Sequence, residues 1–248
     1  MSGKYKFAVA RENFEDYSSG RVLYNSPGAT NFPVRLASET FQRVAARLLE
    51  KKAPPPYVLY DPCGGGGYSA TVLGYLHGEQ IKKIYASDVS LEALALAQRN
   101  LSLLTTRGLA RRANELRALI EQFDKPSHKD ALDSSSRLKR TLERLPHAIE
   151  TKCFHFDILG GGDLSPEIEK VDVVFSDVPY GEVTHWQGAT NGLNPFQGLL
   201  DKLRNILARA SVVALTASKR QEISHDGYRR LKDIKIGKRR TILLEPLD

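Results

Sequence analysis

Apolar positions in this chain recur with two periods, and the period switches repeatedly from about Phe32 onward. "SETFQRVAARLLEKK" sets Phe41, Val44, Ala45, Leu48 and Leu49 on one face of a helix, with Ser38 placed to cap its start. "APPPY" ends that helix, and "YVLY" (57–60) is a short, continuously apolar run of the kind a buried strand shows. A glycine run and a helix through "SATVLGYLHG" follow. "KKIYASD" then predicts a second strand ending at Asp88, and "SLEALALAQRNLSLL" a helix capped by Ser90.

The alternation lapses over 106–148. "LARRANELRALIEQF" carries a helical stripe at Ala113, Leu116, Ile120 and Phe123. "DKPSHKDALDSSS" reads as a loop, and "RLKRTLERL" as a further helix. Strands resume at "TKCFHFDIL", "VDVVFSDV" and "SVVALTAS". A helix, "PFQGLLDKLRNILA", precedes the last of these, and "DIKIGKRRTILLEPL" predicts a closing hairpin. The fold expected is α/β: a Rossmann-like, doubly wound, mainly parallel sheet in a single domain spanning 1–248. An N-terminal extension covers 1–35, a helical insertion 106–148, and a β-hairpin closes the chain. In such sheets ligands bind beyond the carboxyl ends of the strands.

Those ends carry the chemistry. "DPCGGGG" lies between a strand and a helix, where glycines let the backbone turn tightly and approach a ligand. Asp61 precedes the glycines, where it would repel a pyrophosphate but accept from an ammonium. Asp88 ends the next strand and is placed for a ribose diol. Asp157, at the end of a third strand, is within reach of an adenine amine. Three such acids with the glycine turn at Gly65 and Gly67 suit one ligand with an amine, a ribose and an adenine, S-adenosyl-L-methionine.

"DVPY" (177–180) ends the fourth strand with an acid, a proline and an aromatic. An exocyclic base amine is a poor nucleophile, because its lone pair is delocalised into the ring. A carboxylate at Asp177 and a main-chain carbonyl can accept its hydrogens, and Tyr180 offers a stacking face worth roughly 1–3 kcal/mol. If the target is a ring nitrogen such as guanine N1, Asp177 instead serves as general base.

Together these stretches resemble class I methyltransferases. "DPCGGGG" is similar to their D-P-x-x-G-x-G motif, and "DVPY" to the [DN]-P-P-[FY] motif of enzymes that methylate planar nitrogens. The departure is Val178, where the family has its first proline. "FPVRLASE" (32–39) resembles the segment that closes over the methionine end. The resemblance covers roughly 32–100 and 150–248. It implies a cofactor site of Arg35, Asp61, Cys63, Gly65, Gly67, Asp88 and Asp157, and a catalytic corner of Asp177, Val178, Pro179 and Tyr180. The extension, the basic insert and "DVPYGEVTHW" look most like the branch of avilamycin-resistance enzymes. Those enzymes methylate a guanine of bacterial 23S ribosomal RNA.

Charge favours the same partner. The 248 residues carry a net charge of +7. Over 107–144 there are ten lysines and arginines against six acids, and over 219–240 nine against three. Such stretches suit a polyanion, whose counterions are released on binding. Lys219, Arg239 and Arg240 are candidate phosphate contacts, and His185 and Trp186, just past the corner, candidate contacts for a flipped base. The expected partner is 23S ribosomal RNA or the large ribosomal subunit, met by a monomer. The two cysteines and six histidines form no metal-ligand spacing. With no apolar leader or membrane-length run, a cytoplasmic enzyme is expected. Two other readings stand beside it. One is a methyltransferase for DNA or RNA adenine or for protein glutamine, although glutamine enzymes use Asn where Asp177 stands. The other is a non-catalytic RNA-binding module.

Overall fold

The computed structural model describes residues 5–10, 12–25, 31–179 and 194–247. Tyr180, His185 and Trp186 lie outside the described residues. The chain runs α1 (Val34–Glu50), β1 (Tyr57–Asp61), α2 (Tyr68–His77), β2 (Ile81–Asp88), α3 (Leu91–Ser102), α4 (Thr106–Phe123) and α5 (Pro126–Glu143). Then come β3 (Glu150–His155), β4 (Val171–Asp177), α6 (Pro195–Arg204), β5 (Leu207–Ser218), β6 (Tyr228–Ile236) and β7 (Arg239–Pro246).

Among the described residues these strands form one sheet in the order β3-β2-β1-β4-β5-β7-β6. Strands β3, β2, β1, β4 and β5 are parallel neighbours, while β7 runs antiparallel to β5 and to β6. This is the doubly wound, mainly parallel sheet with a closing hairpin that the sequence predicts. The winding reverses between β1 and β4, so the carboxyl ends of those two strands flank the switch point where ligands bind in such sheets.

Both faces of the sheet are covered, which is why its central strands read as unbroken apolar runs. On one face Phe41, Val44 and Leu48 of α1 and Val72 and Leu73 of α2 pack on Leu59, Val173, Phe175 and Ala214. On the other, Leu199, Leu200 and Leu203 of α6 pack on Val58, Tyr60, Val174, Val213 and Leu215. Ser90 caps α3 as expected, accepting from the Ala93 amide at 3.2 Å.

Three expectations are corrected. Helix α1 begins at Val34, after an extended Pro33, so Ser38 lies inside it. There Ser38 is buried, and its hydroxyl accepts from Gln42 and shares a hydrogen bond with His77. The stretch 124–136 is not a loop. Asp124, at φ 45°, ends α4, and α5 begins at once with Pro126 in the first turn, where its missing N–H costs nothing. Ala131, Ser134, Ser135 and Leu138 form the buried side of α5. Two of the serines that look loop-like in sequence, Ser134 and Ser135, are thus buried inside a helix. The stripe on α4 is also displaced. Gly108, Leu109, Arg112 and Leu116 are buried, and Phe123 is exposed against His128.

Candidate active site

The glycine turn is built as the sequence implies, with each glycine doing something different. Gly65 and Gly67 have φ of 50° and 69°, a region that L side chains avoid. A Cβ on Gly67 would lie 2.9 Å from the Ala97 backbone, so this glycine also lets α2 pack on α3. A Cβ on Gly65 would meet nothing within 4 Å, so this part of the turn faces open space. The turn is fastened to β2. The Gly64 amide donates to the Ser87 carbonyl at 2.9 Å, and the Gly65 amide to a carboxylate oxygen of Asp88 at 2.8 Å. The other Asp88 oxygen accepts from the Ser90 amide at 2.9 Å, so Asp88 organises the turn and the start of α3 together.

Asp61 is almost fully buried. It accepts from the Ser176 hydroxyl at 2.8 Å and the Cys63 amide at 3.3 Å. Burial pushes its carboxyl up to about 7, and the nearby charges of Asp88 and Asp177 add to this against the hydrogen bond from Ser176. The Cys63 thiol is also pushed up, by burial and by the neighbouring Asp61, Asp88 and Asp157, so it stays neutral at physiological pH. Asp157 lies two residues past β3. Its carboxylate accepts from the Leu159 amide at 3.0 Å, and the adjoining Phe156 amide donates to the Asp88 carbonyl at 3.2 Å. The structure therefore gathers all four strand-end acids around one corner. The charges of Asp88 and Asp177 act on the buried Asp61 carboxyl, and a cation placed beside it would offset their effect.

At the fourth strand, Asp177 pairs with Thr216 in the β4–β5 register. Val178 is buried, with its side chain in the core on the α6 face. The expectation of a catalytic role for Val178 is thereby narrowed to its backbone. Its amide donates to the Thr216 carbonyl at 3.0 Å, a bond that proline in that position cannot make. The turn that the missing proline would have stiffened is fixed by the ladder instead.

Two other expectations shift. Arg35 donates to the carbonyls of Ala8 and Val9 and lies over the Tyr5 ring, so it holds the N-terminal segment, while it also lines the cavity beside the first turn of α1. Arg240 donates to Asp233 at 2.8 Å and to the Gln221 carbonyl at 3.1 Å, with 14% of its side chain exposed. It is committed within the hairpin and is withdrawn from the phosphate contacts. Lys219 is exposed just past the end of β5. Arg239 pairs with Ser218 at the same end of the sheet, and its guanidinium lies 5.8 Å from the centre of the Phe32 ring. The Arg239 Nε is buried without a hydrogen-bond partner.

Sequence reading missed Glu39 and Asn100. Glu39, inside α1 and buried, accepts from the amides of Lys6, Phe7 and Ala8 at 2.6–2.7 Å and from Arg43. Asn100, inside α3 and buried, bonds the glycine turn. A charged or amide residue at a core position of an amphipathic helix was the available signal for both. A cavity of about 700 Å³ opens between the N-terminal segment and the first turns of α1 and α2, beside Phe14, Ser18, Pro33 and Tyr68. None of the four acids lines it.

Solved structures share this fold. The rRNA methyltransferase aviRa from Streptomyces viridochromogenes, at 1.5 Å, superposes with a TM-score of 0.87 at 39% identity, over 97% of this chain and 95% of that one. TrmN from Thermus thermophilus shares the fold at a TM-score of 0.50 and 19% identity, over 87% of this chain and 49% of that one. The sheet order and the acid-lined glycine turn at its switch point define a class I methyltransferase. A family profile described as rRNA methyltransferase AviRa spans residues 3–239. The chain is also 40% identical over 250 residues to a 23S rRNA (guanine(2535)-N(1))-methyltransferase of S. viridochromogenes, covering 98% of this chain and 96% of that protein. It belongs to the AviRa family of rRNA methyltransferases.

Proposed function

We propose that this enzyme transfers a methyl group from S-adenosyl-L-methionine to N1 of a guanine in 23S ribosomal RNA. We further propose that this protects the ribosome from avilamycin, an orthosomycin antibiotic. The observation that carries the reading is the convergence of Asp61, Asp88 and Asp177 beside the open side of Gly65, with the buried Asp61 carboxyl raised by its neighbours. Such a site favours a cation. The four acids and the turn fit the cofactor's amine, ribose and adenine in the order Asp61, Asp88 and Asp157, with Asp177 left for the base.

The cofactor supplies an electrophilic methyl on a sulfonium. Guanine N1 carries a proton, and its lone pair is spread into the ring, so the chain must remove that proton as the new bond forms. Asp177, at the end of β4 and on the substrate side of the corner, takes it. Arg239, at the neighbouring end of β7, contacts a phosphate of the RNA. Pro179 and Tyr180 complete the corner as its rigid turn and stacking face. Lys219 and exposed basic residues of the insert, among them Arg107, Arg111, Arg140 and Arg144, hold the RNA backbone. His185 and Trp186 contact the flipped base, and the enzyme works as a monomer in the cytoplasm on 23S RNA or the large subunit.

The test is to incubate the protein with labelled S-adenosylmethionine and ribosomal RNA, then digest the RNA to nucleosides for mass spectrometry. 1-Methylguanosine in the 23S fraction is expected, with a reverse-transcription stop at that base and raised avilamycin tolerance in a susceptible host. Label confined to DNA or protein, or a methyl on another guanine atom, overturns the reading.

A further inference from the structure

The carbonyl of the cofactor turn is held by one buried amide. The Nδ2 of Asn100 donates to the Gly66 carbonyl at 2.7 Å and to the Tyr24 carbonyl at 3.1 Å, while its Oδ1 accepts from the Tyr24 amide at 2.8 Å. Asn100 is wholly buried, so these bonds have no water to replace them. The remainder of the turn is fixed from β2 through Ser87 and Asp88. Through Asn100, Gly66 ties the turn to something beyond the sheet and its flanking helices.

That something is the N-terminal extension, and the helical insert grips it in turn. Arg112, on α4, donates from Nε to the Val22 carbonyl at 2.9 Å and from a terminal nitrogen to the Arg21 carbonyl at 3.2 Å. The guanidinium groups of Arg99 and Arg112 lie over the Tyr24 ring, 3.8 Å and 4.5 Å from its centre. Its hydroxyl donates to Glu115 of α4 at 2.9 Å. A continuous set of hydrogen bonds therefore runs from the insert, through residues 21–24, to Asn100 and Gly66.

From this we infer that Asn100 is a positioning residue for the cofactor turn, through which the extension and insert set the affinity for S-adenosylmethionine. The inference rests on the proposed cofactor reading. The chemistry requires an amide. Both N–H groups are used, and the oxygen accepts, so aspartate loses both donors and places a charge against two carbonyls. Arg112 touches nothing in the turn, yet its loss frees the segment that Asn100 holds. The insert therefore acts on cofactor binding as well as carrying basic surface.

The experiment measures S-adenosylhomocysteine affinity by calorimetry, and thermal unfolding of the ligand-free protein, for wild type, Asn100→Asp, Arg112→Gln and the double variant. If wild type binds no ligand, the cofactor reading itself fails. With wild type binding, each single variant is expected to bind about tenfold more weakly, the scale of one lost buried hydrogen bond. The double variant should fall short of the product of the two effects, as coupled residues do. Unchanged affinity in both folded single variants, with only the unfolding temperature lowered, overturns the inference. So does independent, multiplicative behaviour. Should Asn100→Asp fail to fold, Arg112→Gln alone decides: weaker binding supports the coupling, and wild-type affinity overturns it.

Discussion

The Val178 amide donates to the Thr216 carbonyl at 3.0 Å, carrying the β4–β5 ladder one residue past Asp177. With the Val178 side chain buried in the core, that bond fixes where Asp177 and Pro179 stand. Restoring the family's proline at this position is therefore expected to harm the enzyme. Val178→Pro leaves the Thr216 carbonyl without its donor and should cost about 1–3 kcal/mol of stability. Urea denaturation checks this, and a variant as stable as wild type would remove the ladder from the account of the corner.

On the proposed reading Asp177 serves the base and not the cofactor, so its replacement should separate binding from transfer. Asp177→Ala is expected to keep S-adenosylhomocysteine affinity near wild type and to reduce single-turnover methylation by about 10²–10⁴-fold, the usual contribution of a positioned acid–base group. Near wild-type transfer would take Asp177 out of the mechanism.

If Asp61 holds the amine of the cofactor, as proposed, cofactor binding should depend on pH. Its folded carboxyl is raised from 3.8 to about 7 by burial and neighbouring acids, so the ligand-free protein holds a proton that the unfolded chain releases. Stability from this group is full below about 3.8 and is lost as pH rises towards about 7. A cationic ligand needs the ionised form, so its affinity should rise with pH up to about 7, with proton release on binding. Calorimetry at pH 6 in buffers of different ionisation enthalpy measures that proton directly. Asp61→Asn should abolish the release and weaken binding, and buffer-independent heats for wild type would contradict the assignment.

Arg239 and Arg240 are adjacent in sequence but should respond in opposite ways. Arg240→Gln breaks the pair with Asp233 and should lower stability by about 1–3 kcal/mol while leaving RNA affinity and its salt slope unchanged. Arg239→Gln should leave stability nearly intact, weaken RNA binding and flatten the salt slope by about one unit, the loss of one phosphate contact. Filter binding across a salt series distinguishes them, and equal effects on binding would undo the division.

Glu39 ties down the N-terminal segment, and hydrogen bonds from three amides with the Arg43 charge hold its carboxyl below the ordinary value despite the opposing cost of burial. A lowered carboxylate adds stability above the unfolded value that is lost as pH falls through the folded one. Glu39→Gln should therefore flatten the acid side of the stability profile and expose residues 5–10 to faster amide exchange. An unchanged acid limb would mean that the segment is held by other contacts.

Local pattern by itself determined the alternation of strands and helices, the glycine turn, and the four acids at strand ends. Burial on both faces imposes continuous apolar runs, and a strand must end where a polar residue can reach solvent or ligand, so Asp61, Asp88 and Asp177 were legible as ends. The helix over 126–143 was not legible, because its serines favour turns in isolation, and only the tertiary packing that buries Ser134 and Ser135 commits them to a helix. Register separated Arg239 from Arg240: successive residues of a strand face opposite sides, and only pairing with β5 and β6 decides which side meets Asp233. Tertiary structure alone also set Arg35 against the carbonyls of the extension. It likewise brought Asn100 between Tyr24 and Gly66, which are far apart in sequence. No local pattern encodes such contacts, because their partners are set by how the extension and insert fold back on the sheet.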